Sequence, residues 1–211
     1  MWQLLGFNRR AHRLALALGM TIPALFLGSC DDEDSGYVVA AVHAFYTPQE
    51  LDSDAALAGT WQYEDDVKFV FTADENGTYA VAVEEDETDR QLTSHFEGHL
   101  FRLGPDSFMD LYPTSAPSGS EFYLLHFFRC HTVAKVDLSA DRLEMKFVSA
   151  AWLSRQIKAG TVSTSYAKSG GVLLLTATTE EMQELLSLNA SGEETFEPAL
   201  EFERVRDEET Q

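Results

Sequence analysis

The chain has 211 residues, of which 45% are hydrophobic, and it carries a formal net charge of −20. This length and hydrophobic content fit one globular domain with a core of ordinary size. Three arginines precede Cys30, and without them 12 Lys and Arg stand against 35 Asp and Glu, a net charge near −23. Because such a surface repels nucleic acid and anionic lipid head groups, we expect no nucleic-acid partner.

The first part of the chain, residues 1–29, has the three parts of a secretory signal. Its basic residues lie at 9–13, an apolar run follows at about 14–27, and Gly28 and Ser29 then precede Cys30. The apolar run is shorter than the roughly 20 residues that a membrane-spanning helix needs. This segment resembles the bacterial lipoprotein signal, whose lipobox is an aliphatic residue, two small residues and a cysteine.

The resemblance implies cleavage before Cys30, a diacylglyceryl group on its sulfur and an acyl chain such as palmitate on its new amino terminus. It implies a protein of the bacterial cell envelope, anchored to a membrane by the lipid on Cys30 and facing the periplasm or the exterior. A plain secretory signal or an uncleaved membrane anchor are the alternatives. If Cys30 carries lipid, Cys130 has no disulfide partner, and its apolar neighbours predict a buried core residue.

The rest of the chain divides into a lead-in, a domain and a tail. Residues 30–58 begin with an acidic run that is typical of a solvated tether, and they contain either a short strand or an apolar lead-in at 37–42. Residues 59–206 form the predicted domain. Residues 207–211 are polar and form the predicted tail.

Alternating apolar and polar residues predict strands through most of the domain. The clearest prediction is a hairpin over 67–83, because Asn76-Gly77 favours a tight turn. Helical spacing predicts a helix that ends at Gly160, and a capping box at Thr178 and Glu181 starts a second one. The fold class is therefore mainly β: an antiparallel lipocalin-like barrel or half-barrel with two short helices. Further strands are predicted at about 91–103, 107–112, 122–128, 131–138, 142–147, 162–166, 172–175 and 200–205.

Two resemblances bear on the fold. Gly59-Thr60-Trp61 resembles the Gly-x-Trp that opens lipocalin-like barrels, although the two helices and the lack of later lipocalin motifs depart from that family. A longer stretch resembles a group of uncharacterised bacterial proteins, which implies no particular activity. The residues of that second resemblance are 96–100, 108–113, His126, His131, Trp152-Leu153 and 175–177.

Histidines supply the candidate metal ligands. His95, Glu97 and His99 alternate along one predicted strand and therefore share a face, with successive side chains about 7 Å apart. Two such histidines with a third ligand can hold zinc, and His126 is the third candidate, with His131 or Asp110 as substitutes. The alternative is a polar outer face of the strand, whose intervening residues point inward.

Five residues are candidates for binding a ligand: Trp61, Tyr63, His99, Asp110 and His131. The two aromatic residues could line a cavity inside a barrel, or they could equally be core residues. Asp110 interrupts an apolar strand, so it either faces outward or is buried and paired with His99 or Arg129. It is then a general base or a member of a structural hydrogen-bond network.

The leading functional hypothesis is non-catalytic: an envelope lipoprotein that binds a small apolar ligand or a partner protein. It requires no cofactor, and the sequence has none of the familiar nucleophile motifs. One alternative is a metal-assisted hydrolase that uses the clustered histidines and zinc. Another is a structural or assembly factor whose barrel is filled by side chains.

Overall fold

A computed structural model describes residues 38–87, 90–115, 128–169 and 171–206. The predicted signal, Cys30 and its acidic run, the strand predicted at 122–128 with His126, and the tail lie outside these ranges, apart from residue 128. The described part is mainly β and has two α-helices, as the sequence predicts. Its strands are β1 (Val38–Ala41), β2 (Gly59–Tyr63), β3 (Val67–Ala73), β4 (Thr78–Glu87), β5 (Arg90–Leu103), β6 (Asp106–Pro113), β7 (Thr132–Leu138), β8 (Arg142–Phe147), β9 (Tyr166–Ser169), β10 (Val172–Leu175) and β11 (Leu200–Arg204).

Eight of these strands form a closed barrel. Neighbouring strands from β2 to β8 pair in chain order, and β11 then pairs with both β8 and β2 to close the ring. Every pairing in the barrel is antiparallel. Closure removes the free sheet edges at which strands of other chains could pair, and it creates an inner and an outer face on every strand.

The predicted hairpin between β3 and β4 is confirmed. Gly77 has a φ of +82°, which glycine adopts without steric cost. Asp74 Oδ1 accepts hydrogen bonds from the backbone N–H groups of Asn76 and Thr78, at 2.8 and 2.9 Å. The turn therefore fixes the register of the hairpin. In that register a set of large side chains points into the barrel: Phe69, Phe71, Tyr79, Val81 and Val83.

Both predicted helices are confirmed. Helix α1 (Ala150–Ala159) begins after Ser149, whose hydroxyl caps it, and ends at Gly160 in a left-handed conformation with φ +73°. Helix α2 (Thr179–Asn189) begins with the capping box that Thr178 and Glu181 form. Among the described residues, no helix is both long enough and apolar enough to cross a membrane.

A second, three-stranded sheet lies outside the barrel. Strand β1 pairs in parallel with β10, which pairs antiparallel with β9. Isolated bridges link Val38 to Ser149 and Ala41 to His131, so β1 is the edge strand of this sheet that contacts the start of β7. The strand predicted at 162–166 is therefore displaced, since β9 begins only at Tyr166, where pairing with β10 starts. The small sheet and both helices share a core with the outer face of β5 to β7, whose members include Phe101, Phe108, Val133, Trp152, Leu153, Leu173 and Met182.

The prediction that Cys130 is a buried core residue is wrong. Its thiol is half-buried, just before β7, and it follows Phe128, whose side chain is 62% exposed. Partial burial still raises the pKa of the Cys130 thiol above its ordinary value.

Candidate functional site

Polar and aromatic side chains gather on the outer face of β5 and β6. The strand register places His99 opposite Asp110 and Glu97 opposite Tyr112, with all four side chains on the face that points away from the barrel interior. His131 lies beside them at the entrance to β7. We define the outer-face cluster as Tyr46, Glu97, His99, Asp110, Tyr112, Arg129 and His131.

Asp110 is completely buried, although it lies outside the barrel. Its Oδ2 accepts a hydrogen bond from the backbone N–H of Phe45 at 2.8 Å, and its Oδ1 lies 2.8 Å from His131 Nδ1. The segment after β1 therefore covers the carboxylate, and the imidazole satisfies its other oxygen. Both contacts are needed because burying a carboxylate without hydrogen-bond partners costs a large amount of folding free energy. The expected pairing of Asp110 with His99 or Arg129 is wrong, since His131 is the partner.

Tyr46 reaches the cluster from the same covering segment. Its ring stacks on the imidazole of His99 with ring centroids 4.5 Å apart. Burial raises the pKa of Tyr46 to about 12, and the negative charges of Asp110 and Glu97 add to that effect. His99 Nε2 also lies 3.5 Å from Thr78 Oγ1 and 3.7 Å from Glu97 Oε1. The phenol thus remains neutral beside a carboxylate and a stacked imidazole.

Tyr112 and Arg129 form the exposed side of the cluster. The Tyr112 ring lies 4.5 Å from the His131 ring, centroid to centroid, and the Arg129 guanidinium carbon lies 5.3 Å from the Tyr112 centroid. Arg129 also donates hydrogen bonds to the carbonyls of Pro113 and Thr114, at 3.4 and 3.3 Å. A cation on an aromatic face is an attractive contact that also holds the guanidinium in place.

The cluster contains one imidazole, that of His131, which is held in a fixed orientation, and a surface that a ligand or partner could contact. Asp110 holds His131 through Nδ1, so Nε2 is the nitrogen that a ligand or partner could meet. Among the described residues, no hydroxyl or thiol group forms a hydrogen bond with His131. The side chains of His99 and His131 are 12% and 16% exposed, so both can be reached from solvent.

The structure divides the five sequence-predicted ligand candidates into two groups. Trp61 and Tyr63 point into the barrel, whereas His99, Asp110 and His131 lie together on its outer face. The barrel wall separates the groups, so they do not form one site. The alternation of side chains along each strand predicts these faces, but it does not reveal that residues 42–46 cover the polar one.

The predicted metal ligands are not brought together in the described residues. His95 and His99 are four residues apart on β5, which separates their backbones by about 13 Å in an extended strand. His126 lies outside the described ranges. Within those ranges, no group of three or more His, Cys, Asp and Glu side chains is placed to hold a metal ion.

Large side chains occupy the barrel interior and contact one another. The Phe69 ring lies 4.9 Å from that of Phe202 and 6.3 Å from that of Phe71, between ring centroids. A Cβ atom at Gly98 would approach Val81 Cγ2 to 2.9 Å and Met109 Sδ to 3.1 Å. An eight-stranded barrel is just wide enough for side chains to fill it, which is the arrangement around Gly98.

Arg204 is a key residue of the barrel that the sequence did not single out. Its guanidinium carbon lies 4.1 Å from the centroid of the Trp61 ring. Its nitrogens donate hydrogen bonds to the carbonyls of Ala58 and Ala140, at 3.0 and 2.9 Å, and to that of Ala56. Arg204 therefore links the last barrel strand to the first one. The only signal in the sequence is a basic residue inside the last predicted strand.

A surface cleft of about 480 Å³ lies between the end of α2 and the outer face of β7 and β8. Its lining includes Lys135 and Lys146, which pair across these strands, together with Glu193, Phe196, Glu197 and Pro198. Lys135 is already engaged, because its Nζ lies 2.6 Å from Asp106 Oδ1 and donates to the Ala190 carbonyl at 2.9 Å. Lys146 is 42% exposed and lies 3.5 Å from Glu144.

The fold and the site define a closed, eight-stranded antiparallel β-barrel protein with a polar cluster on its outer face. No protein family, no curated protein and no solved structure matches this chain. A barrel of this kind is compatible with a ligand-binding role. Fold alone does not specify function, so function has to be inferred from the cluster itself.

Proposed function

We propose that the chain is a lipid-anchored lipoprotein of the bacterial cell envelope that binds a partner protein through the outer-face cluster. The barrel serves as a rigid scaffold, and the protein is non-catalytic. One observation supports the proposed binding role. The polar ligand candidates His99, Asp110 and His131 lie together outside the barrel, whereas apolar side chains that contact one another occupy the described interior. The lipid anchor is supported by the signal-like segment that ends in Leu27-Gly28-Ser29-Cys30.

The composition of the cluster supports a protein partner. Tyrosine and arginine are enriched among the residues that contribute most to protein–protein affinity. Tyr46 and Tyr112 are half-buried, their rings contact those of His99 and His131, and the Arg129 guanidinium lies over Tyr112. Side chains that are already ordered lose little entropy when a partner binds.

Lipid attachment is tested by expressing the full chain in bacteria with a labelled fatty acid. Wild-type protein should incorporate the label, fractionate with membranes and have an amino-terminal peptide whose mass includes the lipid. The Cys30→Ser variant should lose all three properties. A Cys30→Ser variant that keeps the label and the membrane fraction would contradict the anchor.

Partner binding is tested by photo-cross-linking in the same cells. A photoreactive amino acid at Tyr112 or Arg129 should give one discrete cross-linked protein. The control position is Glu201 on the outer face of β11, which is 63% exposed and far along the barrel wall from β6. Equal cross-linking from Glu201, or none from the cluster, would contradict the proposal.

The cleft beside α2 favours a second candidate, the binding of a small amphiphilic acid. Its volume falls within the range of about 300–1,000 Å³ that is typical of ligand sites. The exposed Lys146 ammonium could pair with a carboxylate while Phe196 packs on an apolar body. Calorimetry with medium-chain fatty acids tests this, and Lys146→Gln should weaken any binding severalfold. No heat of binding to the wild type would dismiss the candidate.

A further inference from the structure

The covering segment, residues 42–46, brings Tyr46 into the outer-face cluster without being part of a helix or a strand. Its backbone polar groups therefore need hydrogen-bond partners on other elements. On the side of the barrel, the N–H of Phe45 donates to the buried carboxylate of Asp110 at 2.8 Å. The carbonyls of Ala44 and Phe45 have their partners on the opposite side, on α2.

Two polar side chains of α2 supply those partners. Thr179 and Gln183 are four residues apart, so they lie on the same face of the helix. The Thr179 hydroxyl donates a hydrogen bond to the carbonyl of Ala44 at 2.8 Å. The Gln183 side-chain amide donates to the carbonyl of Phe45 at 3.2 Å and to Glu50 Oε2, also at 3.2 Å. Phe45 is therefore held at both of its backbone polar groups, by the barrel and by α2.

Other residues set the position of α2 itself. The capping box of Thr178 and Glu181 fixes its first turn. Its apolar stripe lies in the core that the helices share with the outer face of the barrel. That stripe consists of Met182, Leu185 and Leu186. Because Thr179 and Gln183 belong to neither set, their polar groups can be removed without changing how the helix packs.

The position of Tyr46 depends on this backbone. The N–H of Tyr46 belongs to the same peptide group as the carbonyl that accepts from Gln183. The Tyr46 ring stacks on that of His99 and lies 6.1 Å from that of Phe101, between ring centroids. Ring contacts alone leave a phenol able to slide and tilt, whereas a held backbone restricts where the ring can lie.

Taking the proposed binding at the outer-face cluster as given, we propose that Thr179 and Gln183 are positioning residues of that site. They hold the covering segment at two consecutive carbonyls and thereby set the place of the Tyr46 ring over His99. A partner that contacts an ordered ring loses less conformational entropy on binding. The contacts that support a site determine how closely it keeps its binding geometry. The site therefore includes α2, which contributes no residue to the cluster.

Nuclear magnetic resonance tests this role at neutral pH. The ring current of Tyr46 shifts the imidazole protons of His99, and Tyr46→Leu defines the spectrum without that shift. The double variant Thr179→Val/Gln183→Met keeps the approximate shapes of both side chains but removes their donors, so it should lose most of the shift. Thr179→Ser keeps a hydroxyl and should keep the shift. Ser187→Ala, at an exposed position of α2, is the matched control and should keep it as well.

Two results would overturn the positioning role. An unchanged His99 shift in the double variant would mean that the two rings stack without α2. A loss of the shift that Ser187→Ala reproduces would mean that any change on the helix disturbs the cluster. If the double variant does not fold, the single variants Thr179→Val and Gln183→Met replace it, and each should lose part of the shift.

Cross-linking separates this role from the proposed function. A photoreactive amino acid at Tyr112 stays in place while α2 is altered, and the yield of cross-linked partner should fall several-fold in the double variant. A lost His99 shift with an undiminished cross-link would overturn the role of α2 in binding. A lost shift with no cross-link even in otherwise wild-type protein would refute partner binding and would still support the positioning of Tyr46.

Discussion

The carboxylate of Asp110 and the Nδ1 atom of His131 lie 2.8 Å apart on the outside of a closed barrel. The pair joins β6 to the entrance of β7, and the other carboxylate oxygen accepts a hydrogen bond from the backbone of Phe45. One buried carboxylate therefore connects the barrel wall to the segment that follows β1. The same connection holds the outer-face cluster in place, so stability and the proposed binding role depend on the same contacts.

His131→Ala should lower the free energy of unfolding by about 3 kcal/mol. It leaves a fully buried carboxylate without its imidazole, which is costly because the remaining N–H of Phe45 satisfies only one oxygen. Chemical denaturation of the purified protein measures the loss. His95→Ala is the matched control, since His95 is exposed on β5, and it should change stability by less than about 0.5 kcal/mol. Equal effects of the two variants would contradict the structural role of His131.

Tyr46 should lose its proton at a pH about two units higher than an ordinary tyrosine does. Burial and the nearby Asp110 and Glu97 raise its pKa from 10.0 to about 12. Between these values the unfolded chain releases the proton and the folded chain keeps it, so folding stability should fall as the pH rises through this window. A tyrosinate absorbance titration of the wild type minus Tyr46→Phe isolates the step. A difference step near pH 10 would show that Tyr46 is not buried beside the carboxylates.

Gly98→Ala should destabilise the protein by about 1–3 kcal/mol through overpacking of the barrel interior. The added methyl group would approach Val81 Cγ2 to 2.9 Å and Met109 Sδ to 3.1 Å. In the double variant Gly98→Ala/Val81→Ala, the shorter side chain at position 81 removes the first of these neighbours. The loss of stability in denaturation experiments should therefore be clearly smaller than the sum of the losses in the two single variants. If the losses of the two single variants simply add, the interior has room for a methyl group at this position.

Arg204→Met should lower stability by about 2–3 kcal/mol, because it removes the guanidinium from the Trp61 face and leaves carbonyl groups without donors. Tryptophan fluorescence should change as well, since Trp61 loses its charged neighbour. The control is Arg206→Met, whose exposed side chain pairs only with Asp141 among the described contacts. An Arg206 effect as large as that of Arg204 would contradict a specific role for the Trp61 contact.

Local features of the fold could be predicted from the sequence because short-range chemistry determines them. Asn76-Gly77 specifies a turn, Gly160 permits the left-handed end of α1, and Thr178 with Glu181 caps α2. Alternation of apolar and polar residues predicts most of the barrel strands, but both faces of β5 to β7 are buried, so it does not identify their inner face. These signals need only a few neighbouring residues, so one sequence is enough to read them.

The assembly of the site could not be predicted, because it depends on contacts between distant residues. Phe45 reaches Asp110 across 65 positions, and Arg204 reaches Trp61 from the last barrel strand to the first barrel strand. The parallel pairing of β1 with β10 joins strands that are 134 positions apart in register. Alternation therefore assigns Asp110 to one face of its strand, but it does not show which imidazole the carboxylate contacts or what covers it.

An affinity measurement decides whether binding occurs on the outer-face cluster rather than inside the barrel. The partner identified by cross-linking is titrated against the wild type, Arg129→Ala and the matched control Arg142→Ala, both of which replace exposed arginines. Arg129→Ala should weaken binding at least about tenfold, whereas Arg142→Ala should leave it unchanged. Unchanged affinity for Arg129→Ala, or equal weakening by both variants, would contradict binding at the cluster.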